Sequence, residues 1–285
     1  MFFNVGTFYF RRPMADGMLY SMVAFLRFYW RAVTKYQIHS PFVFELAQAV
    51  LDDRRDYYAF RDVEVLRERM LESEAALEVT DYGTGAANGV KKRSLRSIVR
   101  RAGSSAQQGR RLFRLTQWLA PKTVLEMGSS VGISTLYMAS AVRNARMLSL
   151  EGCPQTAAVA RTNLKALGLR QAEIVTGPFE QTLIPALQEL QQVDLVYIDG
   201  NHREEPTWQY FEQSLPFSHD HTVFVFDDTH WSKGMQAAWQ RIQQHPRVTL
   251  SIDFYDFALV FLNPDFKVRQ HWSIVPAWWK LWKFY

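Results

Sequence analysis

Alternating strand and helix signals after residue 120 predict an α/β fold: a doubly wound sheet of seven strands whose last strand is antiparallel, preceded by a helical N-terminal cap region. Two observations carry this. Short apolar runs at 123–128, 146–152, 172–177, 193–200 and 222–229 are each followed by a stretch with helical spacing, and such βα units stack as parallel strands. Two further runs, VTLSIDFY (248–255) and FALVFLN (257–263), stand almost back to back. They leave no room for the crossover of about a dozen residues that parallel neighbours need, so they pair as an antiparallel hairpin.

The segments before residue 120 read as helical and irregular. Ser40 and Pro41 form an N-cap and first-turn pair that opens a helix through PFVFELAQAVL. A charged stretch of helix formers runs from Asp52 to Glu74, and RRLFRLTQWLA (110–120) spaces its apolar residues as a helix does. Between them lie the glycine-rich segment DYGTGAANG (81–89), read as a mobile loop and lid over the site, and the basic stretch KKRSLRSIVRRAG (91–103). The predicted division is therefore a helical cap over 1–119, a ligand-binding domain over 120–265 and an aromatic tail over 266–285. The tail packs four Trp into HWSIVPAWWKLWKFY, which calls for a cover. The body of the protein or a second subunit in a homodimer would supply one, and peripheral contact with a membrane surface is the alternative.

Composition narrows the classes. The chain has 285 residues, 48% hydrophobic and 21% charged, a globular balance and not a disordered one. Its net charge of +5 is small for this size, and aromatic residues do not interleave with the basic stretch as a nucleic-acid stacking platform requires, so nucleic acid is a disfavoured partner. The single cysteine, Cys153, permits no internal disulfide and suits a reducing compartment. The apolar run at 18–30 is broken by Arg27, and the first residues lack the order of a secretory signal, so the expected location is cytoplasmic.

The chemistry concentrates at the ends of the parallel strands, where open α/β sheets bind ligands. Glu126-Met127-Gly128-Ser129-Ser130-Val131-Gly132 reads as strand, tight turn and helix start, with Ser134 and Thr135 in the first helical turn. A dinucleotide turn would place glycine where Ser130 stands, and a phosphate loop would need Gly-Lys-Ser/Thr, which is absent. The second strand ends in Glu151, one βα unit beyond the turn, where a carboxylate accepts hydrogen bonds from both hydroxyls of a ribose. Asp199, Asp227 and Asp228 end two further strands, and clustered carboxylates repel one another unless a cation or protons compensate. Hard oxygen ligands suit Mg²⁺ or Ca²⁺. His202, three residues after Asp199, is an imidazole, the side-chain type suited to a general base near neutral pH.

Three segments, VLEMGSSVGIST (124–135), LVYIDGNH (195–202) and VFVFDDTHWS (223–232), resemble the class I S-adenosylmethionine-dependent methyltransferases, in particular the catechol-type and macrocin-type O-methyltransferases. The resemblance covers residues 123–263 and implies a Rossmann-like sheet, S-adenosyl-L-methionine as cofactor, and O-methylation of a small-molecule or glycosidic hydroxyl. By that resemblance Glu126, Gly128, Ser130, Gly132 and Ser134 surround the methionine part of the cofactor and Glu151 holds its ribose. Gly177 and Phe179 face the adenine, although Pro178 stands where many relatives carry a polar residue. Asp199, Asp227 and Asp228 would hold a divalent cation, with Mg²⁺ favoured, and His202 stands where catechol-type relatives carry a catalytic lysine. His230 and Trp231 are expected at the substrate mouth. RNA or protein methylation and a non-catalytic membrane-associated role are the rival readings. The turn Asp199-Gly200-Asn201-His202 lacks the Asp/Asn-Pro-Pro pattern of base N-methylation.

Overall fold

The computed structural model describes residues 17–80, 90–102 and 105–280. The chain enters through three helices, α1 (Met18–Arg31), α2 (Pro41–Ala47) and α3 (Tyr58–Glu72). Ser40 caps α2 as expected, its hydroxyl accepting from the Val43 N–H with Pro41 in the first turn. Strands β1 (Ala76–Thr80) and β2 (Val90–Ser94) then pair antiparallel in a small separate sheet. The glycine-rich segment 81–89 joins them and lies outside the described residues. Helices α4 (Leu95–Ala102) and α5 (Ala106–Leu119) complete the N-terminal part. The basic stretch thus divides between an exposed strand and a helix whose Leu95, Ile98 and Val99 are buried.

Five βα units follow: β3 (Thr123–Met127) and α6 (Ile133–Ala141), β4 (Arg146–Glu151) and α7 (Pro154–Ala166), β5 (Ala172–Thr176) and α8 (Phe179–Leu190), β6 (Val193–Ile198) and α9 (Glu204–Ser214), β7 (Ser218–Asp227) and α10 (Lys233–Gln243). Strands β8 (Leu250–Asp253) and β9 (Phe257–Phe261) form the expected hairpin. The sheet order is β5-β4-β3-β6-β7-β9-β8, in which β9 alone is antiparallel to its neighbours. The antiparallel strand therefore lies inside the sheet, inserted between β7 and β8. An eighth strand, β10 (Gln270–Ser273), adds parallel to β8 at the edge and was not foreseen.

Period-two alternation sorts each strand's side chains onto two faces. On β6, Leu195 and Tyr197 join the core shared with α2–α7, while Val196 and Ile198 join the core shared with α8–α10. Helices α2, α3 and α5 are thus part of one continuous apolar layer with the sheet, through Val43, Phe60, Val63 and Leu112. The aromatic tail folds back on α1. Trp279 packs edge-on against Phe25, the Tyr29 hydroxyl donates to the Trp279 carbonyl, and the Lys280 ammonium donates to the Ala32 carbonyl. Trp272 and Trp279 are half-buried, Trp278 is exposed, and Trp282 lies outside the described residues. No helix among the described residues is long and apolar enough to cross a membrane.

Candidate functional site

The β3–α6 turn is held by its own backbone and by two acids. Gly128 adopts φ +101°, and a Cβ there would stand 2.0 Å from the Asp199 carbonyl oxygen. Only glycine lets the first strand's turn pass this close to the end of β6. Gly132 (φ +89°) is the left-handed cap of α6, leaving that helix's first N–H groups at the turn. Glu126 is fully buried beneath it. Its carboxylate accepts from the hydroxyls of Ser134 and Thr135, each at 2.5 Å, and from Ser149, its cross-strand neighbour, at 2.6 Å. Burial pushes its pKa up to about 7, with the hydroxyl bonds opposing the rise. Ser134 is thereby committed to Glu126, and both sit under the turn.

Glu151, at the end of β4, closes the turn from the other side. Its Oε2 accepts the Ser130 N–H at 2.6 Å, while Oε1 accepts the Cys153 N–H at 2.8 Å and the Thr156 hydroxyl at 3.1 Å. Burial raises its pKa, and the three bonds counteract that rise. Ser130 is the positive-φ residue (φ 50°) whose N–H points at this carboxylate. At the end of β5, Gly177 precedes the Pro178 cap of α8. The ring of Phe179 lies against Gly200, just past β6, with Tyr210 edge-on at 5.6 Å. The structure thus gathers Gly128, Ser130, Gly132, Glu151, Gly177 and Phe179 around the carboxyl ends of adjacent strands.

The acidic constellation is redrawn. The ligand atoms brought within 4.8 Å of one another belong to Asp199, His202 and Asp228. His202 Nε2 is 3.7 Å from Asp199 Oδ1, and its ring packs against Trp231 at 5.3 Å. Asp227 is fully buried and accepts from Gln108 on α5. The cause is strand geometry. Asp227 is the last residue of β7 and shares the face of Val223 and Val225, which carries it toward α5. Asp228 follows at φ 52°, where the chain turns, and so projects elsewhere. The two carboxylates would suit a hard divalent cation such as Mg²⁺, with the His202 imidazole beside them.

Sequence reasoning missed several neighbours. Tyr197 is fully buried on β6, and that burial, reinforced by the charges of Asp199, Asp227, Glu126 and Asp228, raises its pKa. A tyrosine in an otherwise apolar strand core was its only signal. Gln108 had none, since it meets Asp227 across 119 residues of chain. His230 is buried, with Nε2 at 2.7 Å from Asp253 Oδ2 and its ring stacked on Tyr255 at 4.7 Å, so it is tied to the end of β8. Trp231 is the aromatic residue that stays beside His202.

A parallel sheet of this order, a glycine turn facing an acid at the next strand end, and an acidic cluster beside them make a strand-end cleft suited to a nucleoside ligand. Residues 125–229 match the family model described as a methyltransferase domain. It is 35% identical over 127 residues to a catechol O-methyltransferase of Niastella koreensis, covering 44% of this chain and 57% of that one. It is 35% identical over 135 residues to a catechol O-methyltransferase of Mycobacterium tuberculosis, covering 47% of this chain and 60% of that one. The chain thus spans less than two thirds of the length of these curated relatives. Among solved structures, a putative O-methyltransferase from Klebsiella pneumoniae superposes with a TM-score of 0.52 at 20% identity, over 74% of this chain and 92% of that one. An O-methyltransferase from Bacillus cereus in complex with SAH gives 0.50 at 20% identity, over 73% and 92%. At these identities the likeness to the solved structures is one of fold.

Proposed function

We propose that the protein is an S-adenosylmethionine-dependent O-methyltransferase that acts on a small-molecule hydroxyl with the help of a divalent cation. The observation that carries this reading is the opposition of Glu151 to the Gly128–Gly132 turn, with Asp199 contributing to both the turn and the acidic cluster. Glu151 keeps acceptor capacity on Oε2 for ribose hydroxyls, and the first N–H groups of α6 face the site where the cofactor's carboxylate would lie. The catechol O-methyltransferases that the chain resembles support an oxygen acceptor.

Asp199 and Asp228 would hold the cation, with Asp227 behind them braced by Gln108. When bound, the cation supplies a Lewis acid that lowers the pKa of the acceptor hydroxyl. His202 would take that proton, the oxygen would bond to the sulfonium methyl carbon as the methyl–sulfur bond breaks, and S-adenosylhomocysteine would be the leaving group. The described helices before residue 120 would cap the acceptor site, with Gln108 on α5 their contact to the end of β7. The test is methyl transfer from labelled S-adenosylmethionine to a panel of catechols, sugars and bulk RNA, with and without chelator. Transfer to a diol that is lost reversibly in chelator and lowered about 10²–10⁴-fold in His202→Ala is the expected result. Transfer to RNA alone, or no cofactor binding by calorimetry, overturns the reading. Activity that survives chelator removes the cation, and full activity in His202→Ala removes the base.

A further inference from the structure

Helix α1 is apolar on two opposite faces. Its inner face is ordinary core: Ala24 and Phe28 are buried, and Phe28 packs on His230 and Tyr255. Its outer face carries Leu19, Met22, Val23, Leu26 and Trp30, all exposed, with Leu19 at 71% and Trp30 at 80%. Their spacing of three, one, three and four residues places them on one continuous helical stripe. A helix that is apolar all round requires cover on its outer side as well.

Charge says what the cover is. The helix holds two arginines, Arg27 and Arg31, and no acid. They stand one turn apart on the flank of the stripe and line a cleft of about 540 Å³ between α1, α10 and β10. The rest of the cleft offers amides and rings, among them Gln236, Gln240, His271 and Trp272; its Asp253 is engaged by His230. A second copy packed stripe to stripe would bring both arginine pairs to one seam with no acid on the helix to meet them. An anionic phospholipid surface meets both features. Its acyl region takes the Leu, Met and Val side chains, tryptophan is at home in its interface, and its phosphates match guanidinium groups.

We propose that α1 docks this protein on an anionic phospholipid surface, with the apolar stripe entering the interface and Arg27 and Arg31 holding lipid phosphates at the mouth of the cleft. The tail braces the platform from behind, since Trp279 packs on Phe25 and Lys280 donates to the Ala32 carbonyl at the end of α1.

The experiment is flotation of the full chain with vesicles of phosphatidylglycerol mixed with phosphatidylcholine, and with vesicles of phosphatidylcholine alone. The protein should float with the anionic vesicles, less so in added salt. Leu26→Asp/Trp30→Asp should weaken binding at least about tenfold. Arg27→Gln/Arg31→Gln should abolish the preference for the anionic lipid. Both variants should keep the parent melting temperature and S-adenosylhomocysteine affinity, which separates lost docking from lost fold. Failure of the unaltered protein to float, or undiminished flotation of Leu26→Asp/Trp30→Asp, overturns the proposal. So does a dimer in sedimentation that the stripe variant dissociates. Inorganic phosphate bound by the arginine pair without vesicle binding would assign the cleft to a free anion instead.

Discussion

Replacing Glu126 by glutamine should flatten the pH dependence of stability. The carboxyl is fully buried, and its pKa is pushed from 4.5 to about 7 in the folded protein. Below the unfolded value the group is protonated in both states and its ionisation contributes nothing. As pH rises from 4.5 toward 7, the unfolded chain ionises while the native carboxyl keeps its proton, so stability falls. Above 7 the native state bears the full desolvation penalty, which this displacement puts at about 3 kcal/mol. Glutamine stays neutral throughout. It offers one carbonyl where Ser134, Thr135 and Ser149 now share two oxygens, a loss of about 1 kcal/mol per bond that does not change with pH. Denaturant unfolding of both chains from about pH 5 to about pH 8 isolates the difference, because other titrating groups such as Glu151 are common to both. The variant should gain on the parent by roughly 2–3 kcal/mol across that interval. Parallel profiles would refute the reasoning and show that the three hydroxyls stabilise the ionised form as well as water does.

Three further outcomes follow from the same geometry. Gly128→Ala must push a Cβ against the Asp199 carbonyl from a left-handed backbone; it should cost roughly 2–4 kcal/mol of stability in denaturant melts and remove S-adenosylmethionine binding in calorimetry. Glu151→Ala should weaken S-adenosylmethionine by about 1.5–3 kcal/mol with little change in acceptor KM, which a titration paired with initial rates would separate. Arg111, buried on α5, pairs with the part-buried Asp256 in the β8–β9 turn; Arg111→Met should lower stability by about 2 kcal/mol and the melting temperature with it, because it removes a charge-assisted hydrogen bond.

Much of the sheet was readable because its central parallel strands are buried on both faces and so appear as apolar runs, LVYI or VFVF, between turns. The elements that escaped are those without that signature. Strands β1 and β2 pair with each other alone and are largely exposed, so VKKRS reads as a charged surface. Strand β10 is four residues long and mostly half-exposed, and only its register with β8 makes it a strand. At the site, the glycine turn and Glu151 were legible because they are local to strand ends. The fate of adjacent Asp227 and Asp228 was not. Whether two neighbouring acids share a site depends on which one ends the strand, and that is decided by pairing with β9, some thirty residues later.

The two ends of the described chain meet at one sheet edge. Beyond β10, Val33 receives and gives backbone hydrogen bonds with Ser273 and Val275, and Val33 and Ile274 form a parallel bridge. A lone β8 would leave a row of open amides and carbonyls able to template pairing between molecules. Here the tail supplies a short covering strand, and the linker after α1 seals that strand in turn. Protection against edge-to-edge aggregation therefore depends on both extremities at once. Removing either covering segment uncovers the same seam, which makes solubility, more than thermal stability, the property that changes at Val33 or within β10 will disturb first.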